Sequence, residues 1–201
     1  MANQRQLYEI AETQSGYFTA AQARSAGFSG PLLSYHTQQG TFQRVAHGVY
    51  RLTFFPPGPH EDLFVAWLRT GPDSVISHES ALALFELSDV LPAAVHVIVP
   101  RTASRRRAGL RLHTNTLAED EVTRYQGLPV TTPARTLADV IVASTAPEQI
   151  VMAVEQALDR GLTTRAALRV QMKRRGGRVA EVLVQILETI ECDTQASYLV
   201  A

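Results

Sequence analysis

Cysteine is all but missing from this sequence. Cys192 stands alone among 201 residues, so no internal disulfide can form and no cysteine-built structural zinc site is available. Stability has to come from packing. Lysine is nearly absent as well: Lys173 is the only one among nineteen basic residues, and the eighteen arginines suit bidentate phosphate and base contacts better than lysine does. No apolar run approaches the roughly 18 residues that span a bilayer, and MANQRQLYEI has no apolar signal-peptide core, which predicts a cytoplasmic protein with no membrane partner. Net charge is absent too. Nineteen acids balance nineteen bases, which excludes a wholly basic nucleic-acid coat and moves attention to local patches. The chain shows no internal repeat, heptad run or low-complexity tract.

What is present is the 45% hydrophobic content of a folded chain, at a length that suits one large domain or two small ones. Leu7, Ile10, Ala11 and Gln14 recur at spacings of three and four, predicting a short amphipathic helix over 4–13. A second helix is expected from Phe18, with Thr19 as N-cap and Gly27 as a left-handed stop. Ser29 caps a third, in which Pro31 fits the first turn and Gly40 closes the end. In that helix Leu32 and Tyr35 share the expected inner face, and Ser34, Thr37 and Gln38 lie away from it. Strand formers at 42–45 and 49–52 flank Ala46-His47-Gly48, the turn chemistry of a tight hairpin. The result is a helix-turn-helix followed by a wing.

Three prolines in Pro56-Pro57-Gly58-Pro59 stop any regular element, so the predicted organisation is a winged helix over 1–53, a linker over 54–59 and a second domain over 60–201. Helices are expected over 60–70 and 77–87, with Ser77 as cap to the latter. Strands are expected over 95–99, 110–114, 122–125 and 128–131, the last two turning at Gln126-Gly127. Thr132 and Pro133 then start a nearly all-helical remainder: 132–144, 147–160, 164–174 and 179–191. The fold class is α+β, with strands in the middle of the second domain and helices at both ends.

A recognition helix places polar side chains against base edges in the major groove, while basic residues grip phosphates. Ser34, His36, Thr37, Gln38 and Gln39 have the first chemistry, and Arg44, His47 and Arg51 on the wing have the second. The competing account is a small helical domain with a solvated polar face. Five arginines and no acid in RTASRRRAGLR (Arg101, Arg105, Arg106, Arg107, Arg111) predict a basic loop. That loop extends a DNA footprint, meets an acidic or RNA-like partner, or is merely solvated. Its place in the second domain favours a partner surface. Lys173, Arg174, Arg175 and Arg178 surround Gly176-Gly177, either as a weak phosphate contact or as a charged helix end with a glycine stop. His78 and Glu79 sit at a helix start, and His60, His96 and His113 are too dispersed for a metal site to follow from spacing. Glu119-Asp120-Glu121 reads as a solvated turn. No catalytic residue and no metal ligand is assigned.

GYFTAAQARSAGFS followed by GTFQRVAHGVYRL resembles the winged-helix domain of AbiEi-type antitoxins, and ALALFEL, VHVIVPR and GLPVTTPARTLAD resemble the domain that follows it there. The similarity covers roughly residues 7–168. It implies a protein that binds repeats in its own promoter DNA and neutralises a cognate nucleotidyltransferase-like toxin encoded next to it. Separately, two half-sites one helical turn apart would strengthen so small a winged helix, which makes a dimer on DNA one expected arrangement. The wing motif falls on Arg44, Val45, Gly48, Val49, Tyr50 and Arg51. Thr132 to Asp139 belongs to the antitoxin domain. No cofactor is assigned. An atypical-kinase alternative, in which the antitoxin phosphorylates the toxin, requires ATP and magnesium, yet no glycine-rich kinase loop or catalytic-loop signature is present. A stand-alone transcription regulator is the remaining alternative.

Overall fold

The computed structural model describes residues 2–103, 106–143 and 145–200, with side chains as far as Cys192. The elements run α1 (Gln4–Glu12), β1 (Tyr17–Thr19), α2 (Ala20–Ser25), α3 (Gly30–Gln38), β2 (Phe42–Ala46), β3 (Val49–Leu52), α4 (Glu61–Thr70), β4 (Val75–Ile76), α5 (His78–Leu84), β5 (Val95–Ile98), β6 (Leu110–His113), β7 (Val122–Tyr125), β8 (Leu128–Thr131), α6 (Pro133–Val142), α7 (Pro147–Asp159), α8 (Arg165–Arg175) and α9 (Gly177–Val200). The fold is α+β, as the sequence predicts. Two sheets form, a three-stranded one ordered β1-β3-β2 and a five-stranded one ordered β6-β5-β4-β8-β7. Among the described residues no helix is long and apolar enough to cross a membrane.

Local signals account for most of the helix ends. Ser29 Oγ accepts the Leu32 amide at the start of α3. Thr19 and Gln22 form a reciprocal capping box on α2, which satisfies two otherwise orphaned amides. Thr164 caps α8 by accepting the Ala167 amide. Ser77 and Thr132 stand at N-cap positions but make no side-chain cap bond. Three short features depart from the sequence reading. Tyr17–Thr19 is a strand, because it pairs antiparallel with β3 in the register Tyr17↔Arg51 to Thr19↔Val49. Val75–Ile76 is a strand through its pairing with Val97 and Ile98. Tyr35 is 55% exposed while Leu33 fills the core, so α3 is turned by about one residue from the expected face.

The chain divides into two compact units, Met1–Ile76 with Val97–Asn115 and Arg124–Pro129, and Ser77–His96 with Thr116–Thr123 and Val130–Ala201. The proline-rich segment 54–59 therefore lies inside the first unit, not at its end. The physical reason is α4, which packs on β1, β2 and β3. The Phe64 ring stacks on Tyr17 at 6.5 Å, and the turn at Gln126 and Gly127, both at positive φ, returns to the same place. A Cβ at Gly127 would stand 3.3 Å from the Thr13 carbonyl oxygen and 3.5 Å from Phe64.

The core of the winged helix is Leu7, Ala11, Phe18, Ala23, Ala26, Phe28, Leu33 and Phe42. Its rings meet at angles that favour edge contacts, Phe18 on Phe42 at 5.1 Å and Phe28 on Phe42 at 5.7 Å. In the second unit α6 is the central helix, packed against α5, α7, α8 and α9. Every residue from Ala134 to Ile141 is buried, including Arg135 and Asp139.

Candidate functional site

The outer face of α3 is shorter and different from the expected one. Ser34, Gln38 and Gln39 are exposed, and Tyr35 joins them. His36 is half-buried, its ring 4.8 Å from Phe42 and 5.6 Å from Phe28, so it closes the core. Thr37 is also half-buried and donates its hydroxyl to the Leu33 carbonyl at 2.8 Å. Four side chains thus face outward, and all four combine donor and acceptor groups on a neutral surface.

On the wing the strands pair antiparallel with a bulge between Arg44 and Ala46, and Gly48 takes φ +72 in the turn. Arg44 is exposed, with Nη2 3.2 Å from His47 Nδ1 at the exposed turn. Arg51 behaves differently. Its side chain is only 13% exposed, donates to the Phe55 carbonyl at 2.9 Å, approaches Glu61 at 3.6 Å and lies over the Tyr17 ring at 5.8 Å. Burial, followed by the Glu61 carboxylate, pushes the Tyr17 hydroxyl up to about 12. Arg51 therefore ties the wing to α4 and the segment before it.

The basic clusters separate in the same way. Arg101 and Ala103 bound a single 3-10 turn, and Arg101, Arg106 and Arg111 are exposed, whereas Arg107 is half-buried and donates back to the Ala103 carbonyl. Arg105 lies outside the described residues. In the second cluster Lys173 and Arg178 are exposed, but Arg174 and Arg175 are drawn into a network of acids. The glycine-stop account fits the backbone: α8 ends at Arg175, and Gly176 and Gly177 follow at positive φ.

That network is the feature the sequence reading missed. Arg135, with no exposed surface, donates from Nε to both carboxylate oxygens of Asp139 and from Nη1 to Glu121 and the Thr116 carbonyl. Glu121 also accepts the Ala118 amide and the Gln171 side-chain amide. Arg175 stands 4.0 Å from Glu121 and 3.9 Å from Asp139, and Arg174 clasps Asp120 through two bonds. Three arginines meet three acids. Burial drives Glu121 upward, but the Ala118 and Gln171 hydrogen bonds and the Arg135 and Arg175 charges outweigh it and hold its carboxyl below the usual range. The 119–121 turn is thus half solvated and half core. The signal was the pair Arg135 and Asp139, four residues apart in a helix with no polar face.

Histidines dispersed in the sequence also come together. In the second unit the rings of His78 and His96 lie 5.7 Å apart, both buried, and an imidazole nitrogen of each comes within 4.8 Å of the other, within reach of one ion. His78 takes φ +52, with Nδ1 2.9 Å from Ser77 Oγ. His96 Nε2 is 3.9 Å from Glu79, whose other oxygen accepts the Thr145 hydroxyl.

No curated protein matches the sequence. The fold is similar to the crystal structure of the RV2827C protein from Mycobacterium tuberculosis, with a TM-score of 0.53 and 14% identity over 90% of this chain and 74% of that one. Residues 5–53 match the family described as "Transcriptional regulator, AbiEi antitoxin", which takes in α1 to β3. Residues 74–189 match the family described as "AbiEi antitoxin C-terminal domain", which takes in the Arg135 network. With both domains present in order, and the second match alone covering more than half of its length, this chain belongs to the AbiEi antitoxin family of transcriptional regulators.

Proposed function

We propose that this protein represses its own operon through the winged helix and neutralises a cognate nucleotidyltransferase-like toxin through the second unit, in the cytoplasm. The observation that carries the DNA half is the outward row of Ser34, Tyr35, Gln38 and Gln39 on α3, beside a wing whose exposed tip holds Arg44 and His47. The row supplies hydrogen bonds and a ring to base edges, and the wing supplies a cation to phosphate or the minor groove. His36 and Thr37 position the helix instead of reading bases. A dimer on two half-sites about one helical turn apart strengthens so small a module.

The wing gives the test, because two arginines seven residues apart have opposite surroundings. Arg44→Ala is expected to weaken binding to the DNA upstream of the gene, to lower the salt slope by about one unit and to leave thermal stability unchanged. Arg51→Ala is expected to do the reverse. It strips Glu61 and the Phe55 carbonyl of their partner and costs about 1–3 kcal/mol, with the slope intact in the folded fraction. Anisotropy over a salt series and a thermal melt on both variants check this. Equal slopes in wild type and Arg44→Ala would remove the wing from the DNA contact.

A further inference from the structure

The start of α5 and the strand β5 gather metal-binding side chains that neither the DNA reading nor the toxin reading uses. His78, Glu79 and His96 all belong to the second unit. The two histidines are far apart in the chain, and the backbone closes the gap twice. The Ser77 amide donates to the His96 carbonyl at 3.1 Å, and the His96 amide donates to Ser80 Oγ at 2.9 Å. Those bonds fall on either side of His78 and Glu79, so His96 is fixed against the turn that carries them. Ser77, Ser80 and both rings are buried.

The side chains are oriented from behind. Ser77 Oγ stands 2.9 Å from His78 Nδ1, and a proton donated there leaves the Nε2 lone pair for an ion. Thr145 donates its hydroxyl to one oxygen of Glu79 at 3.1 Å, and the other oxygen lies 3.9 Å from His96 Nε2. An imidazole nitrogen of His78 comes within 4.8 Å of one of His96. His78 also holds φ +52, a left-handed backbone that a non-glycine residue keeps only where its surroundings enforce it. A histidine–carboxylate ion pair accounts for part of the arrangement only. It needs His96 and Glu79, and gives no reason to set a second buried ring beside the first, where protonating both would place two like charges together.

We infer that His78, His96 and Glu79 form a binding site for one divalent transition-metal ion of the zinc class, which clamps the start of α5 to β5. Two imidazoles and a carboxylate suit such an ion, whereas Mg²⁺ and Ca²⁺ favour oxygen donors throughout. Ligands on a tetrahedral Zn²⁺ stand about 3.3 Å apart, given metal–ligand distances of roughly 2.0–2.1 Å. The Glu79 side chain is 27% exposed and the freest of the three, so a small shift of its carboxylate and a turn of the His78 ring complete the triangle. Three protein ligands leave the fourth position to water. Because α5 packs on α6, the clamp acts on the central helix of the second unit, and an ion that binds only the folded chain stabilises it by mass action.

The inference stands apart from DNA and toxin binding and is tested without either. Full-length protein is stripped of metal with a chelator and titrated with Zn²⁺, and separately with Mg²⁺, by calorimetry and thermal melting. One Zn²⁺ per chain is expected to bind in the micromolar range or tighter, with no uptake of Mg²⁺. At about a hundredfold excess of Zn²⁺ over its dissociation constant, the transition that reports the second unit is expected to rise by roughly 5–10 °C. His78→Asn, in which asparagine tolerates the left-handed backbone, is expected to weaken Zn²⁺ binding about a hundredfold, and Glu79→Gln about tenfold or more. Cys192→Ser removes an exposed thiol and is expected to bind as wild type does. Wild type that takes up no Zn²⁺, or takes up Mg²⁺ equally well, overturns the site. Folded His78→Asn and Glu79→Gln variants that keep wild-type affinity also overturn it, and Glu79→Gln decides on its own where His78→Asn does not fold. Loss of affinity in Cys192→Ser alone overturns it too, since the ion would then sit on the thiol.

Discussion

Replacing Arg135 with methionine is expected to cost about 3–5 kcal/mol, because it leaves Glu121 and Asp139 buried with only the more distant Arg175 between them. For a chain of this size that corresponds to a drop of roughly 10 °C in the midpoint of the transition that reports the second unit. Arg135→Lys is expected to recover little, since a single ammonium cannot serve Asp139 and Glu121 through a rigid fork. The diagnostic comparison is Glu121→Leu/Arg135→Met/Asp139→Leu, in which both sides of the pairing are removed. It is expected to be more stable than Arg135→Met alone. A single variant that loses less than about 0.5 kcal/mol, the range of an ordinary surface change, would show that the network holds nothing together. If the second unit neutralises the toxin, Arg135→Met also fails to protect cells from the adjacent gene product while its affinity for operator DNA stays within about twofold. Lost DNA binding with intact protection would reverse that assignment of roles.

The second large effect is expected at Phe42. Its ring touches Phe18, Phe28 and His36, so one side chain joins β2 to β1, the loop after α2 and α3. Phe42→Ala removes a buried aromatic and leaves a cavity under α3, at about 3–5 kcal/mol, and is expected to abolish selective DNA binding through loss of the helix orientation. Tyr35→Ala is the companion measurement. Tyr35 is exposed and fills no core position, so its replacement is expected to preserve the melting midpoint and lower the ratio of operator to unrelated DNA. If Tyr35→Ala destabilises and Phe42→Ala does not, the inner and outer faces of α3 have been exchanged.

The winged helix was legible in the sequence because its punctuation is local. Ser29, Pro31 and Gly40 each act within a few residues, as do Thr19 and Gly27, and the structure uses every one of them. What escaped was decided at a distance. Tyr17–Thr19 becomes a strand only through Tyr50 and its neighbours. Arg51 turns inward because Phe55 and Glu61 wait beyond the proline-rich segment, which looks like a border until α4 is seen to fold back across it. The choice between Leu32 with Tyr35 and Leu33 with His36 as the inner face of α3 rests on a single residue of rotation, and spacing over nine residues does not fix that. Glu121 and Arg135 are 14 residues apart and Gln171 is 50 from Glu121, so no window over the sequence brings them together. The arginine loop was visible as composition. Which unit owned it was a question of topology, since the two units interleave along the chain.

The balance of three arginines against three acids around α6 also governs how this sequence can drift. Losing the charge of Glu121, Arg135 or Asp139 strands an opposite charge in a place water hardly reaches, so each single step runs uphill even where the fully apolar end point is as stable as the start. Positions 121, 135 and 139 are therefore expected to be kept together or exchanged together among relatives of this chain, while the exposed residues of α3, which hold no such network, are free to change one at a time.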